Sequence, residues 1–161
     1  MALTASKNIL EKYQPGAYRD DFPASDSTQY YKGGLVALVA GALVKPTTST
    51  AGASAVFICD DEILTGVSTT EKIGVRTGRF KLLNGDSITA ADVGKLGYIG
   101  ASGDDSVYKA GAAATDVVVG VIAGVDSASD PGGAGVWVNV FGFHEIIKPL
   151  TATTADNLSG A

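Results

Sequence analysis

At 161 residues the chain is the size of one domain, large enough to bury a core and too small for two comfortable ones. Its net charge of −5 and its twelve scattered Lys and Arg exclude a protein built to grip nucleic-acid phosphates, which needs a concentrated basic surface. The single cysteine, Cys59, excludes an intramolecular disulfide framework, and the longest uncharged apolar stretch, residues 33–44, falls well short of the ~20 residues a membrane-spanning helix requires. Residues 1–6 carry neither a basic start nor a continuous apolar run, so the expectation is a protein made in the cytoplasm without a secretory signal.

Residues 1–29 read as a polar N-terminal arm. A short helix over Ser6–Tyr13 would place Ile9, Leu10 and Tyr13 on one face, with Ser6 as its cap and Pro15-Gly16 as its stop. Residues 17–29 hold Asp20, Asp21, Asp26 and Pro23 among Ser and Thr, too little apolar area to fold alone. Ile9, Leu10 and Tyr13 are then anchors that become ordered on a partner; the plainer alternative is a terminus with no role.

Residues 30–143 read as a β-domain. Leu35–Leu38 and Ala42–Val44 are short strands around Gly41, followed by Ala55–Cys59, in which Cys59 is expected to be a buried apolar group. After the acidic loop Asp60-Asp61-Glu62 comes a strand over Glu71–Phe80, where Ile73, Val75 and Thr77 alternate with Gly74, Arg76 and Gly78. Asn84-Gly85-Asp86 is a turn signal, and Thr89-Ala90-Ala91-Asp92 has the form of a capping box that Gly94 closes. From Ile88 to Val140 the chain is a series of Val, Ile, Tyr and Trp runs cut by Gly, Asp or Ser. In the last run Val136, Val138 and Val140 face one way while Trp137, Asn139 and Phe141 face the other, which marks a central strand or an interface. Many short strands with Gly corners favour a compact barrel-like domain, with a sandwich as the alternative. The expected class is mainly β, with short helical turns and extended N- and C-terminal arms. The C-terminal tail, residues 144–161, carries Ile146 and Ile147, either as a clasp on a neighbouring subunit or as packing on its own domain.

Groups that could carry catalysis are sparse. His144 is the single histidine, which leaves no multi-histidine metal site and no choice of base for a Ser-His-Asp arrangement. Neither G-x-x-x-x-G-K-[ST] nor G-x-S-x-G occurs. The pairs Asp60-Asp61 and Asp104-Asp105 lack the spacing of a calcium loop and read as solvated turn residues. No catalytic residue, cofactor or metal is expected.

A series of segments carries a resemblance in its order and spacing. Tyr30 to Leu38 with Gly41 to Pro46, and Ile73 to Phe80, are followed by Ala91-Asp92-Val93-Gly94-Lys95 with Tyr98 and Ile99. Next come Asp104, Asp105 and Val107, then Gly120, Ile122, Val125 and Asp126, and finally Gly135 to Val138. Each motif is weak alone; together they span roughly residues 30–140 and resemble the capsid decoration (cement) proteins of bacteriophage heads. The segment before Tyr30 and the tail after Phe143 depart from that pattern.

The resemblance implies a non-enzymatic virion protein on the outer surface of the capsid. Its partner would be the phage major capsid protein, and it would act as a homo-oligomer, a trimer above all, touching neighbouring decoration subunits through its terminal arms, with no nucleic acid and no membrane as partner. The residues expected at capsid or subunit contacts are Ile9, Leu10, Tyr13, Tyr30, Tyr31, Trp137, Phe141, Ile146 and Ile147. The competing reading is a recognition module, a tail-fibre piece or carbohydrate-binding β-domain, stacking its ligand on Tyr30, Tyr31, Tyr98, Tyr108 or Trp137.

Overall fold

The computed structural model describes residues 11–12, 19–46, 53–100, 104–110 and 114–143. In chain order the strands are β1 (Glu11–Lys12), β2 (Arg19–Pro23), β3 (Gln29–Tyr30), β4 (Leu35–Val39), β5 (Ala42–Val44), β6 (Ala53–Cys59), β7 (Ile63–Leu64), β8 (Lys72–Arg76) and β9 (Gly78–Asn84). A 3₁₀ turn at Ala90–Asp92 leads to β10 (Leu96–Gly100), β11 (Ser106–Tyr108), β12 (Ala114–Asp126), β13 (Gly135–Val140) and β14 (Gly142–Phe143). The protein is mainly β.

Five strands close on themselves. The order β9-β11-β10-β12-β13 returns to β9 through the antiparallel pairing of Val136 with Leu82 and Val138 with Phe80, so the ring is a barrel rather than a sandwich. β9 and β11 are the one parallel pair in the ring. The 13-residue β12 makes closure possible by serving two neighbours, β10 along Ala114–Val121 and β13 along Val121–Asp126. Where it passes from one to the other, a Cβ on Gly120 would collide with the Asn139 carbonyl, so only glycine fits.

The second sheet runs β2-β8-β6-β4-β5, and a parallel bridge between Ala24 and Leu43 draws its two edges together. It curls around Tyr30, Val36, Leu38, Leu43, Phe57, Ile73 and Val75. Its opposite face, Leu35, Ala37, Val56 and Ile58, packs with Phe80, Ile99, Val107, Ile122, Val136 and Val138 of the barrel. The apolar groups on both faces of β4 and β6 are therefore buried within one chain. The strand expected over Glu71–Phe80 is β8 and β9 in succession, broken at Thr77; Gly78, at φ +144°, turns it from the curled sheet into the barrel.

Two parts of the N-terminal arm differ from expectation. Glu11 and Lys12, placed by sequence at the end of a helix, form β1 opposite Phe80 and Arg79, because pairing with an existing strand edge avoids the unfavourable nucleation of a short helix. Arg19–Pro23 pairs along its whole length with β8, and Phe22 stacks on Phe57 with ring centroids 5.3 Å apart. Ile9, Leu10, Tyr13, His144, Ile146 and Ile147 lie outside the described residues.

Candidate functional site

Of the residues that carry the resemblance, those from Ala91 to Val138 fold into the frame of the barrel, whereas Tyr30 to Leu38 and Gly41 to Pro46 lie in β3, β4 and β5 outside it. Asp126 at the end of β12 accepts the Trp137 indole N–H at 2.8 Å and pairs with the Lys81 ammonium at 2.9 Å, linking three neighbouring strands. The Lys81 side chain is 5% exposed; its ammonium also donates to the Gly133 carbonyl and lies 5.9 Å from the Trp137 ring centroid. Asp130 shapes the intervening loop by accepting the Ser127 N–H at 2.6 Å, a bond that holds its carboxyl below the usual range. Asp92 closes the expected capping turn: its carboxylate accepts the Thr89 backbone N–H at 3.0 Å and the Lys95 ammonium at 2.9 Å, which together hold its pKa at about 2.

Both acidic pairs meet the chain's own groups. Asp60 faces Arg76 at 3.3 Å, Arg19 at 3.7 Å and Lys32 at 4.0 Å, while Asp61 accepts the Gly74 N–H at 2.7 Å. Asp104 and Asp105 are buried, not solvated as expected: Asp104 pairs with Lys45 at 3.5 Å, and its carbonyl accepts the Leu35 N–H that fixes β4 to the barrel. Among the described residues no group of three or more His, Cys, Asp or Glu is placed to hold a metal ion. No helix among them is long and apolar enough to cross a membrane.

The expected contact residues fall into two kinds. Tyr30 is fully buried; its hydroxyl donates to the Leu43 carbonyl and accepts the Ser25 N–H at 3.0 Å, and burial pushes its pKa up. Trp137 is 7% exposed beneath Lys81 and its loop. Both are core groups of this chain. Tyr31 and Phe141 are half-buried, with the Lys45 ammonium over the Tyr31 ring at 5.2 Å. Tyr108 is also buried, its ring against the backbones of Gly85 and Gly100.

Among the described residues, two surface features stand on the curled sheet's side of the molecule. The first is an open cleft of about 450 Å³ lined by Arg19, Asp20, Asp21, Lys32, Asp60, Asp61, Gly74 and Val75, in which charges of both signs meet. The second is the end of β7 and the loop after it, where Leu64, the last residue of the strand, is 66% and Val67 83% exposed. The loop is tightly braced. Thr65, itself buried, donates its hydroxyl proton to the Ser25 carbonyl at 2.6 Å and accepts the Thr28 N–H at 2.9 Å. Gly66 accepts the Ser27 N–H at 3.1 Å, and Asp26 accepts the Thr69 N–H at 2.7 Å. Sequence reasoning passed over this loop; the signal was Val67 standing alone in a Thr, Gly and Ser stretch, where no core periodicity calls for it.

No protein-family model, no curated protein and no solved structure matches the chain. The functional reading therefore rests on the ordered resemblance over residues 30–140 and on the geometry above.

Proposed function

We propose that the chain is a bacteriophage capsid decoration protein, a non-enzymatic cement bound to the outer surface of the head. One observation carries the reading: the resembling segments from Ala91 to Val138 are turns and strands of one barrel, with Asp92, Asp126, Gly120 and Trp137 each fixing a strand or a seam, while the upstream segments Tyr30 to Leu38 and Gly41 to Pro46 lie in β3, β4 and β5 outside it. Each copy would bridge several major capsid protein subunits, so that opening the shell under the pressure of packaged DNA requires breaking those added contacts. Contacts of modest individual strength, repeated over the lattice, stabilise through avidity.

The resemblance implies a trimer or other small oligomer, with the terminal arms reaching neighbouring subunits; sedimentation at micromolar concentration tests the oligomer directly, and a monomer would contradict it. The competing stacking module is disfavoured because Tyr30, Tyr108 and Trp137 are buried. Electron microscopy of virions with and without the chain tests the main reading: density lost from the outer face of the head supports it, and density lost from the tail overturns it.

A further inference from the structure

We propose that the loop of residues 64–69 is the anchor by which this chain docks on the shell-forming subunit, with Leu64 and Val67 entering an apolar pocket rimmed by Lys or Arg. The inference rests on the decoration reading above and names the surface that performs it. An apolar side chain that is 83% exposed on a mobile loop would be unremarked, but this loop is held by six hydrogen bonds to residues 25–28. Leu64 and Val67 are thereby presented in a fixed geometry, and little conformational freedom is lost when they bind.

Charge identifies the occupant. Asp26, Glu62 and Glu71 stand exposed around the loop, with Lys72 as the opposing base, so the complementary surface is apolar at its centre and basic at its edge. A second copy of this chain meeting loop to loop would set those same acids against one another. Two side chains also cover only a fraction of the about 800 Å² per partner that a stable pairwise complex buries. Such an anchor suits a partner presented many times over, where each copy is held by several contacts at once.

The test is binding of the purified full-length chain to heads of the phage that encodes it, prepared from virus lacking the gene, with melting temperature measured on every variant. Leu64→Asp and Val67→Asp should each lower affinity about tenfold or more, the equivalent of withholding one aliphatic side chain from an apolar pocket. Val67→Ser, a milder change at an exposed position, should weaken binding in the same direction at unchanged melting temperature. Glu62→Lys and Glu71→Lys should slow association. Leu83→Asp and Val93→Asp, which alter exposed apolar groups elsewhere, should bind as the natural chain does. Wild-type affinity in Leu64→Asp and Val67→Asp would overturn the anchor, and an equal loss in Leu83→Asp would overturn its specificity. Unchanged association in the charge reversals would overturn the basic rim. Failure of the unaltered chain to bind heads at all would instead remove the decoration reading, and the anchor with it.

Discussion

The barrel of residues 78–140 and the curled sheet of residues 19–76 divide the work of the chain differently. In the barrel, polar groups of the recognisable motifs turn to the chain itself: Asp126 holds Lys81 and Trp137, and Asp92 holds Thr89 and Lys95. On the curled sheet's side, the cleft around Asp60 and the Leu64–Val67 segment at the end of the β3–β7 pair face solvent. The contrast teaches that motifs surviving as a pattern in a sequence are those dictated by geometry, such as a close backbone approach, a cap or a buried ion pair. The proposed contact surface obeys no such period, and exposure and bracing mark it instead.

The largest expected effect lies in the barrel seam. Gly120→Val drives a branched side chain into the Asn139 carbonyl and should cost about 3 kcal/mol or more, enough to abolish the cooperative melting transition seen by circular dichroism. Next is an alkaline loss of stability in the curled sheet. Burial pushes the Cys59 thiol up to about 11, so the folded state disfavours the thiolate; its contribution is full below the unfolded value near 9 and is lost as pH rises toward 11. Up to about 2 kcal/mol should disappear over that window, and Cys59→Ala should show a shallower slope in urea titrations from pH 8 to 11.

Asp126→Ala leaves the Lys81 ammonium without its carboxylate and the Trp137 N–H without its acceptor. Because Asp126 is itself 23% exposed, the cost should be about 2 kcal/mol rather than that of a fully buried pair, read as a lowered urea midpoint. The smallest effect is a gain. Ala40 and Gly41 form the β4–β5 turn with φ of +49° and +86°, and Asn tolerates that conformation better than Ala; Ala40→Asn should stabilise by about 0.5–1 kcal/mol in the same assay.

Much of the architecture was legible because it followed period and turn chemistry. The β4–β5 pair around Gly41, the β6 run ending at Cys59, the Thr89–Asp92 cap and the inward Val136, Val138 and Val140 all appear where their patterns place them. What failed was long-range. Glu11 and Lys12 carry no strand signal and become β1 because an edge of β9 is available. Asp104 and Asp105 look like turn acids, yet the β4–barrel junction buries them. Tyr30 and Trp137 were expected at contacts, Trp137 because its strand has two apolar faces, and a second core and the Lys81 loop cover them. The Leu64–Val67 loop was missed since exposure is a property of the folded surface.

Hydrogen–deuterium exchange, compared between the free chain and the chain bound to heads, tests the division between frame and contact surface most directly. Slowed exchange should concentrate in residues 62–71, with β9, β12 and β13 already protected in the free protein and unchanged on binding. New protection confined to the barrel strands, with residues 62–71 exchanging as before, would contradict it.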